Sequence, residues 1–140
     1  MNVSVDSASP DFLENIHAGR HLFHADEPVS AGGKDAAPTP YELLLGALGA
    51  CKAITLRMYA ARKRWPLQRV RVNLSHAKAH AEDCVDCDSE RSLIDLIEVE
   101  IQLVGELTDE QRRTLLSVAE KCPIHRTLTS QIQIRTRAAP

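Results

Sequence analysis

A long apolar stretch between residues 40 and 64 most constrains what this 140-residue chain can fold into. Thr39 is a suitable N-cap, Pro40 suits the first helical position, and Glu42 falls in the first turn, where the helix dipole favours an acid. Trp65-Pro66 is expected to stop the helix. The pattern therefore predicts a single helix roughly 36 Å long, at about 1.5 Å per residue.

The first half of this helix is apolar on all sides, from Leu43 to Cys51. A helix with that pattern is normally buried all round. One small sheet can cover only one face of it, so the remaining apolar surface needs a second cover. A second copy of the chain is the most economical cover, and the sequence therefore predicts a homodimer.

The other segments predict strands, and those at 69–74 and 97–103 each have one buried and one solvent-exposed face. Apolar and polar residues alternate at 69–74 and 97–103, a short hairpin is expected from Phe12–His17 and His21–Ala25, and a closing strand is expected at 131–135. The capping box at 108–111 starts a second helix that ends near Lys121, and Pro123 suits one further helical turn.

This order predicts an α+β fold, in which an antiparallel sheet packs on a long buried central helix and a second helix. We expect residues 1–10 to be flexible and residues 11–140 to form a single domain.

Composition narrows the function classes. The net charge of −2 and the aromatic content of 4% argue against nucleic acid as a partner. Lys52, Thr55 and Arg57 interrupt the apolar helix, which argues against a membrane span. The polar, acidic N-terminus does not resemble a secretory signal, so a cytoplasmic location is expected, where thiols stay reduced.

Two cysteines carry the best clue to function. Cys51 lies in the middle of the apolar helix, and Cys122 precedes Pro123, where its sulfur could face free backbone N–H groups. The alternative is that Cys51 is core packing, since free cysteine is often a small buried hydrophobe. A reactive Cys51 would need a cation from another segment, with Arg20, His125 and Arg126 as candidates.

Two motifs resemble one known family. The first runs from Gly32-Gly33 through Pro40-Tyr41-Glu42-Leu43-Leu44-Leu45-Gly46-Ala47-Leu48-Gly49-Ala50-Cys51 to about Ala60. The second combines Gly105-Glu106-Leu107 with Lys121-Cys122-Pro123-Ile124-His125-Arg126-Thr127-Leu128. Together they resemble the signatures of the osmotically inducible protein C / organic hydroperoxide resistance (OsmC/Ohr) family, in a less characterised OsmC-like branch.

The resemblance implies an intertwined homodimer with the long helices at its centre. It also implies a stress-defence peroxidase, in which Cys51 is the peroxidatic thiol and Cys122 the resolving thiol. Organic hydroperoxides would be reduced through a sulfenic acid and an intrachain disulfide, and a dithiol of the lipoyl type would reduce that disulfide. No bound cofactor or metal is expected.

The family's peroxidases open the helix with Asn-Pro-Glu, whose Glu pairs with a catalytic Arg. Here the run is Thr39-Pro40-Tyr41, and Glu42 follows one position later, rotated by about 100° around the helix. The resemblance proposes Arg20 and Glu42 for these roles, and leaves open whether Tyr41 replaces the acid. Glu42 is about 13–14 Å along the axis from Cys51, so it would serve the partner's thiol or order the Arg.

Two alternatives remain. Cys84-Val85-Asp86-Cys87, with His76 and His80 upstream, has zinc-like ligand types, although an exposed polar loop is the favoured interpretation. The protein could also be a non-catalytic family member that binds a small apolar ligand in the dimer crevice.

Overall fold

The computed structural model describes residues 1–7, 9–80 and 93–140. It confirms the α+β class, with antiparallel strands and helices. The chain divides into two compact units, Met1–Gly46 and Ala47–Pro140, and each is described by itself. The single domain predicted over 11–140 stays a prediction.

The first unit contains a three-stranded antiparallel sheet in the order β1-β2-β3. Its strands are β1 (Val3–Ser7), β2 (Glu14–Ala18) and β3 (His21–Ala25). The predicted hairpin is therefore confirmed, and Gly19 in its turn has a φ of 61°, which glycine adopts without strain. β1 was not predicted, because its strand conformation depends on pairing with β2. Its alternating Val3 and Val5 are both exposed.

The loop after β3 is organised around the buried carboxylate of Asp26. This side chain accepts backbone N–H groups from Glu27 at 2.8 Å, Ala36 at 3.0 Å and Lys34 at 3.1 Å. These bonds, that from Ala36 first, hold the pKa of Asp26 below its ordinary value. A 3₁₀ turn, Val29–Ala31, lies within the loop that Asp26 closes.

Asp26→Asn should lower the free energy of unfolding at neutral pH and remove part of its acid dependence. Because the folded pKa is depressed, the carboxylate stabilises the fold above its ordinary pKa of about 3.9, and that stability is lost as the pH falls through the folded value. Urea unfolding between neutral and acid pH measures the effect. Equal acid sensitivity in both proteins would contradict this role.

The long helix, α1, is Pro40–Lys63, as predicted. Its start is a reciprocal capping box, in which the Glu42 N–H donates to Thr39 Oγ1 at 3.2 Å and the Thr39 N–H donates to Glu42 Oε2 at 2.7 Å. Its end is a Schellman motif. The Arg64 N–H donates to the Ala61 carbonyl at 3.1 Å, and the Trp65 N–H donates to the Ala60 carbonyl at 2.9 Å. Arg64 therefore adopts the left-handed conformation, with a φ of 56°.

Arg64→Gly should stabilise the protein by about 0.5–1 kcal/mol, because glycine meets no Cβ penalty in this conformation. Arg62→Gly is the matched control: it lies inside the same helix and should destabilise by about 1 kcal/mol. Thermal unfolding of both variants checks the opposite signs. A destabilising Arg64→Gly would contradict the proposed strain.

The second unit pairs β4 (Leu67–His80) with β5 (Leu93–Gly105) in an antiparallel ladder, as predicted, over a longer span than the alternation indicates. Two helices follow, α2 (Asp109–Ala119) and α3 (Pro123–Leu128). The predicted capping box of α2 and the helical turn at Pro123 are both confirmed. The core is formed by buried side chains of α1, β5, α2 and the segment between them: Leu56, Ala60, Leu103, Leu107, Leu115 and Ala119.

Within this unit α1 approaches the sheet closely at one position. A Cβ added to Gly49 would lie 2.8 Å from Leu74 Cδ1, too close for an ordinary contact. The opposite side of α1 is uncovered in the single chain, where Ile54 and Met58 are more than half exposed. By length and composition α1 would suit a membrane span, but core helices of soluble proteins meet the same criteria, and the structure is consistent with a soluble protein.

The closing strand predicted at 131–135 is wrong for this single chain. Residues 131–140 have no regular secondary structure, and Ile134 is 86% exposed. The alternation of apolar and polar residues is present, but a strand forms only where a neighbouring strand accepts and donates its backbone hydrogen bonds.

Candidate thiol site

The structure brings the two predicted cysteines together. Cys51 lies half-buried in the middle of α1, and Cys122 is fully buried in the turn between α2 and α3. Both are free thiols, and Cys51 lies close enough to Cys122 to raise the pKa of the Cys122 thiol. Two sulfurs 71 positions apart in the sequence thus meet within the second unit.

Cys122 is the N-cap of α3, and its sulfur accepts the backbone N–H of His125 at 3.4 Å. Burial raises the pKa of the Cys122 thiol, the bond from His125 opposes that rise, and the hydrogen bond with Cys51 raises the pKa further. Cys122 is therefore held in its protonated form at neutral pH, able to donate an S–H hydrogen bond to Cys51.

Lys52, next to Cys51 in the chain, is fully buried. Its Nζ donates to the backbone carbonyl of Ala119 at 3.0 Å and to Glu120 Oε1 at 3.4 Å, and it lies 3.1 Å from His125 Nδ1. The charge of Lys52 also lowers the pKa of Cys122, against the larger effect of burial. A buried lysine side chain therefore lies near Cys122.

His125 closes a triangle with Lys52 and Glu120. Its Nε2 lies 3.4 Å from Glu120 Oε2, while its Nδ1 faces Lys52 Nζ. An ammonium has no lone pair to accept a hydrogen bond, so a charged Lys52 requires His125 Nδ1 to be the acceptor. In that tautomer the ring proton lies on Nε2, which faces the Glu120 carboxylate.

A cavity of about 440 Å³ opens beside this triangle. Lys52, Glu120 and His125 form its polar part, with Asp95 and Thr129. The rest of its lining is aliphatic, from Leu48, Leu96, Ile97, Val99 and Leu128. Half of the lining residues are polar and half are aliphatic, which is a mixed lining that suits a small molecule with both polar and apolar parts.

Arg20 and Glu42 belong to the first unit. Arg20 is exposed in the turn between β2 and β3, on the predicted hairpin. Glu42 caps α1 through Thr39, and this backbone hydrogen bond lowers the pKa of its carboxyl. The structure thus gives Glu42 a structural role, and the catalytic roles of both residues stay predictions.

Lys52 is the site residue that the sequence did not single out. Lys52 is a charged residue inside an apolar stretch of helix, and such a residue indicates a buried partner as well as arguing against a membrane span. His125, one of the candidate cations, does lie beside Cys122. Cys84 and Cys87 fall outside the described residues, so the zinc interpretation stays untested. His76, one of the two histidines in that interpretation, has its Nε2 2.8 Å from Asp95 Oδ1.

A long helix against an antiparallel pair of strands, with a buried thiol close to a second thiol on that helix, defines an α+β protein with a two-cysteine site. The family model for OsmC-like proteins matches residues 32–137. The chain belongs to the OsmC-like family, which confirms the resemblance.

Solved structures agree on the fold. A putative osmotic stress induced and detoxification response protein from Psychrobacter arcticus matches with a TM-score of 0.72 and 18% identity, over 91% of this chain and 87% of that one. An OsmC-like protein from Mycoplasma pneumoniae matches with a TM-score of 0.71 and 15% identity, over 91% and 85%. An organic hydroperoxide resistance protein from Legionella pneumophila matches with a TM-score of 0.65 and 16% identity, over 91% and 88%. No curated protein matches the chain.

Proposed function

We propose that this protein is a thiol peroxidase that reduces organic hydroperoxides, with Cys51 as the peroxidatic thiol and Cys122 as the resolving thiol. The observation that carries the proposal is that Cys51 of α1 and the buried Cys122 between α2 and α3 come close enough for Cys51 to raise the pKa of Cys122. Core packing alone gives no reason for two oxidisable groups from distant segments to meet. The proposal is also supported by solved structures of similar fold that are named organic hydroperoxide resistance proteins.

The different surroundings of the two sulfurs support this assignment of roles. Cys51 is the more accessible thiol, as an attacking sulfur must be, while Cys122 is buried and held protonated. A protonated Cys122 can donate its S–H to a Cys51 thiolate and stabilise it. After Cys51 is oxidised, the same contact places Cys122 next to the sulfur that it must attack.

The reaction balances with two thiols. The Cys51 thiolate attacks the terminal oxygen of the hydroperoxide, the O–O bond breaks, and the alkoxide leaves as the alcohol after taking a proton, which leaves Cys51 as a sulfenic acid. Cys122 then attacks that sulfur, an S–S bond forms, and water leaves. Two electrons have passed from the thiols to the peroxide, and a dithiol of the lipoyl type returns them by thiol–disulfide exchange.

The homodimer belongs to the same proposal. Ala47, Ile54 and Met58 are exposed on α1, and Cys51 lies at the same helical spacing between them. A second copy packed on this face would bury the apolar stripe and shield Cys51 from water. Arg20 and Glu42 would support the thiol in such an assembly.

Thiol titration before and after one equivalent of cumene hydroperoxide tests the proposal. The reduced protein should rapidly lose two thiols per chain, and dihydrolipoamide should restore both. If both thiols persist in excess peroxide, the enzyme proposal is excluded. The aliphatic part of the cavity beside Lys52 would then favour the second candidate, a non-catalytic protein that binds a small apolar ligand.

A further inference from the structure

We propose that Lys52 is a positioning residue of this site, the buried cation that holds the Cys122 turn against α1 and supplies positive charge to the thiol pair. The inference rests on the proposed function, and deepens it by naming a residue that neither the motifs nor the resemblance assigned. Arg20, one of the candidate cations, belongs to the other unit.

The positioning role follows from the hydrogen bonds. Lys52 Nζ and the Cys122 backbone N–H both donate to the same acceptor, the Ala119 carbonyl, at 3.0 and 3.5 Å. On the far side of the turn, His125 offers its N–H to the Cys122 sulfur and its ring Nδ1 to Lys52. A single side chain of α1 is therefore bonded to the residues on both sides of Cys122.

The charge on Lys52 is not cancelled by its partners. Nζ donates to the Ala119 carbonyl and to Glu120 Oε1 and faces His125 Nδ1, so three polar groups surround the three donors of an ammonium. Glu120 is the only carboxylate among them, and its side chain is 63% exposed, whereas that of Lys52 is 1% exposed. Water screens the carboxylate, while the buried ammonium acts on the sulfurs through a medium of lower dielectric constant.

Other titratable groups facing the site do not replace Lys52. His125 faces Lys52 Nζ with its Nδ1 and Glu120 Oε2 with its Nε2, so its ring is a hydrogen-bonding partner of Lys52. Asp95 of β5 also lines the cavity, but it is paired with Lys78 and His76 on the sheet. Among the residues that the structure describes around the thiols, Lys52 is the buried cation.

The test is the rate of alkylation of Cys51 and Cys122 by iodoacetamide as a function of pH. Because the two thiols interact, the profile is described by one apparent midpoint for both. Lys52→Met keeps the length and removes the charge, and should move the midpoint to higher pH, with alkylation at pH 7 slowed about tenfold. Lys121→Met is the matched control. It removes the same charge one residue from Cys122, but from an exposed side chain, and should change the rate less than twofold.

Glu120→Gln gives a second test with the opposite sign. Removing the exposed carboxylate leaves more of the Lys52 charge uncompensated, so the midpoint should move to lower pH by a smaller amount, about two- to threefold in rate. If Lys52→Met fails to fold, Lys52→Gln takes its place, because it removes the same charge but keeps a side-chain N–H donor for the Ala119 carbonyl, and it should raise the midpoint in the same way. An unchanged or raised midpoint in Glu120→Gln, or a folded Lys52→Met with the wild-type profile, would overturn the proposal. Alkylation uses no peroxide, so a wild type that ignores peroxide contradicts the function without affecting this readout.

Discussion

Cys51→Ser is expected to abolish the rapid oxidation of the protein by organic hydroperoxide. A hydroxyl at this position is not ionised at neutral pH and is a far weaker nucleophile towards the O–O bond than a thiolate. The rate of cumene hydroperoxide consumption with dihydrolipoamide should fall by at least about a thousandfold, as for other lost nucleophiles. Stopped-flow measurement of peroxide loss checks this directly.

The change from sulfur to oxygen is nearly isosteric, so the fold should survive it. Cys51 is half-buried and packs on a helix whose core contacts come from other residues, such as Leu56 and Ala60. Unfolding curves of Cys51→Ser should therefore match those of the wild type within about 1 kcal/mol. Retention of more than a tenth of the wild-type rate in the folded variant would show that another group reduces the peroxide.

Cys122→Ser should react once and then stop. Cys51 can still be oxidised, but the variant lacks the Cys122 thiol, which is the only other free thiol among the residues that the structure describes. The variant should lose one thiol per chain instead of two, retain a dimedone-reactive sulfenic acid on Cys51, and overoxidise in excess peroxide. Mass spectrometry of the intact chain distinguishes these products by added oxygen atoms.

The comparison with Cys51→Ser separates the roles of the two thiols. If Cys122→Ser instead turned over many times at the wild-type rate, the resolving role would be refuted, and the reductant would have to attack the sulfenic acid directly. If Cys122→Ser failed in the first oxidation as well, the assigned order of the two thiols would be reversed.

Local signals along the chain predicted most of the secondary structure. Caps and breakers fixed α1 and α2, because Thr39, Thr108 and Trp65-Pro66 act on their immediate neighbours. The alternation of apolar and polar residues predicted β4 and β5, because it is visible within each segment without knowledge of the partner strand. The failures were β1 and the strand expected at 131–135, whose formation depends on a partner strand that sequence periodicity does not reveal.

The candidate site was only half predictable. The motifs pointed to Cys51 and Cys122, and the turn at Pro123 made a capping sulfur foreseeable. Lys52 was not foreseeable as a member, since its bonds reach residues 67 to 73 positions away. A charge on an apolar helix indicates only that some partner must be buried with it, and the fold decides which one.

The most direct test of the account is the position of the first disulfide. The reduced wild-type chain is treated with one equivalent of cumene hydroperoxide, blocked with an alkylating agent and digested without reductant, and the linked peptides are identified by mass spectrometry. The account predicts a bond between Cys51 and Cys122 within one chain, formed in step with alcohol release. A product in which Cys51 is joined to Cys84 or Cys87, while Cys122 remains alkylated as a free thiol, would contradict it.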